Sequence, residues 1–334
     1  MNSAGLIFDT SLHYLDHLGP FCSLMQWPLL ICEDSIVNLA CKYYPDLKVI
    51  EENALRIKFP KHLVACDPHQ LLQAAFPTLL TEQTSTFWLP HGNSDKGWKS
   101  PFFEGLQKDA TALVYGQKMI DFMKAKNVFL KTLCVGNFRA KYYEKHRSFY
   151  QKIVQDEITS LLPQGNKNFL YAPTWNDSEG NGSFWQIFPI LAKALPNHCN
   201  LLVKLHPNTS QQFDIQLEIL MGQFQNRKNI LFLPEFPPIY PLLEISDAYI
   251  GDMSSIGYDF LKFDRPMYFL NPTGRDAKTD QGLFLFRCGE EILPEQLASV
   301  FDLDQKEDFS TIRGRTYNYT FDSQGINLIR EFNI

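Results

Sequence analysis

A chain of 334 residues exceeds the usual size of one core, so two domains of roughly 150 residues each are the starting expectation. Its 45% apolar and 20% charged residues are those of a soluble globular protein, and 27 Phe with 14 Tyr favour a large, well-filled core. A net charge of −6 argues against nonspecific nucleic-acid binding, which needs a basic face, and leaves no polybasic patch for anionic lipid.

In chain order, "GLIF" (5–8), "PLLIC" (28–32), "LKVI" (47–50), "HLVAC" (62–66), "TFWLP" (86–90), "ALVYG" (112–116) and "TLCVG" (132–136) predict strands. Helices are expected over 12–24, 34–43, 69–76 and 117–126. A helical stretch over 139–160 and the linker "LLPQGNKN" lead into a second series of strands. These are "NFLYAP" (168–173), "NLLVKLHP" (200–207), "NILFLP" (229–234), "DAYIGD" (247–252) and "PMYFLN" (266–271). Helices near 183–195, 210–224, 238–245 and 254–263 separate them. Strands alternating with helices of this length indicate βαβ units and parallel sheets. The reading is α/β: two Rossmann-like doubly wound domains facing each other, residues 1–160 and 161–334.

No apolar run approaches the ~20 residues that span a bilayer, and "MNSAGLIFDTSLHYLDHLGP" lacks the charged n-region of a signal peptide. Seven cysteines without a C-x-x-C pair suggest reduced thiols, with neither zinc nor disulfides. A cytoplasmic location is expected, with peripheral association at the inner membrane face as a variant of it.

Ligands of open α/β sheets bind beyond the carboxyl ends of the strands, so the strand–helix corners carry the information. The corner "GDMSSIGYDF" sets Gly251, Asp252, Ser254 and Ser255 where a strand turns into a helix. Such hydroxyls serve as helix caps, or they join backbone N–H groups in seating an anion. "KLHPNTS" brings Lys204 and His206 to the neighbouring corner, although Lys-x-His-Pro also simply ends strands. "YAPTWNDSEGNGS" supplies a polar, Gly-rich third corner. Placed together, these groups suit a diphosphate.

In the first half, "LPHGNSDKG" (89–97) exposes His91 at a strand end, where an imidazole can act as general base or merely pack. Asp95 and Lys96 either orient it or are solvated loop charges. Asp16 and His17, in "YLDHLGP", are a weaker signal. No P-loop, G-x-G-x-x-G, G-x-S-x-G, H-E-x-x-H or kinase signature occurs, and no D-x-D pair calls for a metal.

"YAPTW" (171–175), "KLHP" (204–207), "SDAYIGDMSSIGYDFLKFDRPMYFLNP" (246–272), the tail "YNYTFDSQG" (317–325) and "LPHGNSDKG" together resemble the CDP-glycerol glycerophosphotransferase family of teichoic-acid and capsule synthesis. The resemblance implies a GT-B fold whose N-terminal domain, 1–160, is the acceptor side, whose C-terminal domain, 161–334, holds the nucleotide donor, and whose final helix crosses back to the N-terminal domain. It implies His91 and His206 as the active-site histidines, with Thr174, Lys204, Asp252, Ser254 and Ser255 on the donor and His17, Asp95 and Lys96 in support. The implied reaction is metal-independent and needs no cofactor: a CDP-linked donor such as CDP-glycerol, or another nucleotide-diphosphate donor, gives its polyol-phosphate to a polyol, glycan or lipid-linked hydroxyl. The rival readings are a GT-B glycosyltransferase using a nucleotide sugar, and an inactive nucleotide-sugar-binding protein. The chain departs from the family pattern at Met253, where Tyr precedes the serine pair, and at Asn176, where Arg often follows Thr-Trp. Its late Asp322 and Gly325 are also spaced more widely.

Overall fold

The computed structural model describes residues 2–51, 60–78, 80, 81, 83–93, 95, 96, 106, 108–177, 179–303, 305 and 307–326. These divide into two units. One takes residues up to Asn93, Gly97–His146 and the segment from Asn318 onward; the other takes 94–96 and Arg147–Tyr317. The junction falls at 146/147, against the 160/161 drawn from the sequence. The next helix belongs with the second unit, where Arg147 pairs with Glu244.

The first unit holds seven strands: β1 (Ser3–Ile7), β2 (Leu29–Ile31), β3 (Val49–Glu51), β4 (His62–Ala65), β5 (Ser85–Trp88), β6 (Thr111–Val114) and β7 (Thr132–Cys134). All pair in parallel, in the order β3-β2-β1-β4-β5-β6-β7. Parallel strands need helical crossovers, supplied here by α1 (Leu15–Met25), α2 (Asp34–Tyr43), α3 (His69–Ala75) and α4 (Gln117–Ala125), with α5 (Phe138–Lys145) after β7. Residues Leu15 to Ser23 of α1 are all buried. Its Asp16 is matched inside by Arg139, which ion-pairs with it, and by Tyr44 Oη at 3.0 Å. A paired internal carboxylate of this kind is structural, so the Asp16 signal dissolves into the core.

The second unit begins with α6 (Arg147–Glu157) and carries β8 (Lys167–Tyr171), α7 (Phe184–Ala194), β9 (Cys199–Val203), α8 (Pro207–Gln212), α9 (Asp214–Gln223), β10 (Ile230–Phe232), α10 (Tyr240–Ile245), β11 (Ala248–Gly251), α11 (Ile256–Phe260), β12 (Met267–Phe269) and β13 (Glu290–Glu291). The sheet order β10-β9-β8-β11-β12-β13 repeats the winding of the first unit, again wholly parallel. Phe184, Ile187, Phe188 and Leu191 of α7 recur at helical spacing and pack on Phe169, Tyr171, Leu201 and Val203 of the central strands. The expected strands are present, and both sheets are doubly wound.

Three expected helices differ in detail. The one over 210–224 is broken at Phe213, whose φ of −138° is not helical. The one over 254–263 is α-helical for only five residues and ends in a 3-10 turn, Leu261–Phe263. The stretch 139–160 is two helices and a 3-10 turn. A last helix, α12 (Ser310–Thr320), has residues in both units: Arg313 Nε donates to Asp264 at 2.7 Å in the second, and Tyr319 Oη to Asp121 at 2.8 Å in the first.

Candidate functional site

In the second sheet the strand order reverses between β8 and β11, with Tyr171 level with Ile250. The two chains then leave as Ala172-Pro173-Thr174 and Gly251-Asp252. Asp252 is fully buried, and three donors converge on it. Thr174 N reaches one oxygen at 2.8 Å, while Ser183 N at 3.0 Å and Ser183 Oγ at 2.8 Å reach the other. A hydroxyl that gives its proton to a carboxylate can only accept from Tyr171, whose Oη therefore donates to Ser183 Oγ at 3.0 Å. Burial pushes the Asp252 carboxyl up to about 6, against the pull of these bonds and of Lys96. It is ionised at neutral pH, and it ties the β8 corner to the β11 corner.

Lys96 Nζ donates to Thr174 Oγ1. Desolvation lowers its pKa, while Asp177, Asp252 and Glu179 oppose that. Asp95, beside it, is buried and accepts from Tyr258 Oη at 2.6 Å and Leu285 N at 3.0 Å. Both residues are built into the second unit, so neither is a solvated loop charge.

Gly251 is required by packing. A Cβ there would lie 2.2 Å from the Tyr249 hydroxyl, which crosses the strand end. Tyr249 is in turn hydrogen-bonded to the buried Ser254. Ser255 occupies the N-cap position of α11 with helical dihedrals (φ −61°, ψ −23°) and makes no side-chain cap bond. The capping account of this serine therefore fails. The five-residue α11 also has a much smaller dipole than a long helix.

Lys204 follows β9, is buried, and sets Nζ 3.4 Å from Leu205 O. His206 is the N-cap of α8: its Nδ1 accepts from Asn208 N at 3.1 Å. An accepting Nδ1 carries no proton, so the neutral ring holds its hydrogen on Nε2 and offers a donor there. Arg275 was not flagged by its sequence neighbourhood, "NPTGRD". Its Nη2 reaches Asn181 Oδ1 at 3.0 Å and Met253 Sδ at 2.9 Å, which places a guanidinium beside the serine pair.

In the first unit the order reverses between β1 and β4. Beyond these strands lie Asp9 and Asp67, and the 3-10 turn Leu12–Tyr14 folds over them. Tyr14 Oη donates to Asp67 Oδ1 at 3.0 Å, in a buried bond. The His91 ring, after β5, lies 5.1 Å from the ring of His13, edge to face, and 5.3 Å from that of Tyr14. Tyr115 Oη donates to Pro90 O at 3.1 Å, so the 2.6 Å contact with His17 Nδ1 must have the imidazole as donor. His17 is thereby the Nδ1–H tautomer. Burial, with Arg139, His91 and His13 nearby, holds its pKa far below the usual range, so it stays neutral. Through Tyr115 it braces the backbone that presents His91.

Sequence reasoning brought the β8, β9 and β11 corners together; the structure joins Thr174 of the β8 corner to Asp252 of the β11 corner, while the Lys204 and His206 side chains of the β9 corner bond locally, to Leu205 O and Asn208 N. It missed Ser183, Arg275, Tyr14 and Asp67. Of these only Ser183 had a usable signal, as the end of "GNGS" just before a helix.

Residues 141–294 match the family model described as CDP-Glycerol:Poly(glycerophosphate) glycerophosphotransferase. The resemblance carried by the motifs holds. The matched stretch contains the second-unit residues of this site except Asp95 and Lys96. Curated relatives include the teichoic acid ribitol-phosphate polymerase TarL of Staphylococcus aureus, 24% identical over 46% of this chain and 27% of its own length. Another is the teichoic acid ribitol-phosphate primase of Bacillus spizizenii, 25% identical over 52% of this chain and 46% of its own length. The chain thus spans less than half of either relative. Among solved structures, the wall teichoic acid polymerase TagF superposes with a TM-score of 0.68 at 15% identity, covering 99% of this chain and 87% of that one. UDP-GlcNAc 2-epimerase from Neisseria meningitidis gives 0.63 at 13% identity, covering 100% and 99%. Both likenesses are of fold, and the fold is GT-B-like. Among the described residues no helix is long and apolar enough to cross a membrane.

Proposed function

We propose that this chain transfers a polyol-phosphate, glycerol- or ribitol-phosphate, from a CDP-linked donor to an acceptor hydroxyl, without a metal ion or cofactor. The observation that carries the reading is the β8–β11 switch point. There Ser255, uninvolved in capping, and Ser254 follow Asp252 on one strand end, Lys96 donates to Thr174 on the other, and Arg275 reaches Met253 beside the serines, within or beside the stretch that matches the glycerophosphotransferase model. The names of the relatives agree, and one TagF structure was obtained with a CDPG soak.

In the reaction an acceptor hydroxyl oxygen attacks the phosphorus that bears the polyol. The new P–O bond forms as the P–O–P anhydride bond breaks, and CMP leaves with the bridging electron pair. His91 takes the hydroxyl proton. The Nε2–H of His206 and the ammonium of Lys204 stabilise charge on the phosphoryl oxygens, a preorganised arrangement that phosphoryl transfer relies on. The serine hydroxyls hold the donor diphosphate. Asp252 acts through others, by fixing the Thr174 and Ser183 backbones around that seat.

The test is product analysis after incubation with CDP-glycerol, CDP-ribitol or a nucleotide sugar, each with a hydroxyl acceptor. CMP release with a polyol-phosphate-extended acceptor is the expected result. Release of a nucleoside diphosphate would make the enzyme a glycosyltransferase. No product, with a melting temperature that still rises on donor addition, would make it a binding protein. A donor at a hundredfold excess over Kd adds about 2.7 kcal/mol of stability, so a true donor stands out in a thermal-shift screen.

A further inference from the structure

The β1–β4 crevice has a chemistry unlike that of the donor corner. Asp67 is buried, with 8% of its surface exposed, and Tyr14 Oη binds its Oδ1 at 3.0 Å. Its second oxygen accepts a hydrogen bond from no described residue. Asp9, close enough to push the Asp67 carboxyl upward, receives among the described residues only Ser11 N, at 3.0 Å on Oδ1. A carboxylate offers about four lone-pair sites, and among the described residues Tyr14 fills one of them, at a strand end where α/β sheets bind ligands. Two carboxylates repel phosphate; they attract hydroxyl protons. Tyr14 links Asp67 to the neighbourhood of His91: its hydroxyl binds the carboxylate and its ring lies 5.3 Å from the imidazole, tilted by 40°.

We infer that Asp67, with Asp9 beside it and Tyr14 locking it in place, grips the neutral vicinal-diol end of the acceptor and presents one hydroxyl to His91. This rests on the transfer reading above for the role of His91, while the diol-binding crevice stands on its own geometry. Asp67 is a positioning residue: its open oxygen accepts from the diol, and no bond to it is made or broken in the reaction. The occupant is a polyol or sugar terminus, and any phosphate of the acceptor lies away from the two carboxylates.

The experiment titrates the full chain with glycerophosphoglycerol, which ends in vicinal diols, and with its isopropylidene-blocked form, using saturation-transfer NMR. CDP is titrated in parallel. Wild type should bind the free diol and not the blocked one. Asp67→Asn should weaken diol binding ten- to a hundredfold, the loss of one or two charge-assisted hydrogen bonds, and leave CDP affinity unchanged. Asp67→Glu should recover part of the loss, which a purely structural role would not produce. The Ser254→Ala/Ser255→Ala pair should show the reverse pattern, weak CDP and normal diol. Should Asp67→Asn fail to fold, Asp9→Asn carries the same test with a smaller expected loss. Diol binding equal in wild type and variant, equal binding of the blocked compound, or no diol binding by wild type each overturns the inference. A wild type that binds the diol yet releases no CMP from CDP-glycerol sinks the transfer reading and leaves the crevice assignment standing.

Discussion

At the switch point of the second sheet a buried carboxylate is well supplied: three protein donors converge on Asp252. At the corresponding point of the first sheet a buried carboxylate, Asp67, accepts from one donor among the described residues, the Tyr14 hydroxyl. The strand order around the two points is the same, and the two carboxyls are both pushed up to about 6 by burial. Winding and desolvation are therefore shared, and the difference lies in what surrounds the carboxylate. On the readings proposed above, cations and hydroxyls around Asp252 make a seat for anions, and histidines and a second carboxylate around Asp67 make a seat for hydroxyls. A duplicated architecture thus supplies two positions, and local side chains assign them opposite polarities.

The contrast breaks most sharply through the histidine. His91→Ala should reduce turnover roughly 10²–10⁴-fold with CDP affinity retained, as for a lost general base. Loss of affinity in step with rate would move His91 to the donor side. Next in size is the serine pair. Two hydroxyls bonded to charged oxygens are worth about 1.5–3 kcal/mol each at most, so Ser254→Ala/Ser255→Ala should weaken CDP binding by ten to several hundredfold. A lowered melting temperature with affinity intact would return these serines to a structural role.

A smaller effect distinguishes the two carboxylates by pH. Asp67 has a folded-state pKa raised from 3.8 to about 6, with Asp9, Tyr14 and Cys66 facing it. A carboxyl raised in the folded state contributes stability that is fully present below its unfolded pKa and is lost as pH rises through the folded value. Between about pH 4 and pH 7 the wild type should therefore lose up to about 3 kcal/mol relative to Asp67→Asn. Denaturant unfolding of both proteins across that range measures it, and parallel curves would refute the burial argument. The smallest effect is null by expectation: turnover in EDTA should equal turnover in Mg²⁺. Activity abolished by chelation and restored by Mg²⁺ would show a metal in the reaction.

Much of the fold could be read because parallel strands buried on both faces are short, nearly pure apolar runs. β13, two glutamates, carries no such run and escaped notice; α12, "STIRGRTYNYT", has no apolar stripe, and only the family resemblance implied a final helix. On the donor side each corner follows its own strand, so a motif such as Lys204-x-His206 announces itself locally. Tyr14 and Asp67 are 53 residues apart and meet only because β1 lies beside β4. No local pattern encodes that bond. The roles of Asp95 and His206 were illegible for a related reason. Whether a loop carboxylate faces solvent or a tyrosine, and which imidazole nitrogen is occupied, depends on partners supplied by other elements.

The short segment at 94–96 has one consequence for anyone dividing this molecule. It counts with the second unit although the chain on either side of it belongs to the first, and the residues from Asn318 onward return to the first. A single cut at 146/147 would not yield two autonomous halves. An expressed fragment 147–317 would lack Asp95 and Lys96, stranding the Tyr258 hydroxyl, the Leu285 amide and the Thr174 hydroxyl. The complementary fragment would lack Asp322, whose amide donates to Tyr115 O at 2.9 Å beside the brace that holds His91. Split versions should regain function only when both pieces are mixed, and a circular permutant should tolerate new ends at 146/147 better than any break within 89–97.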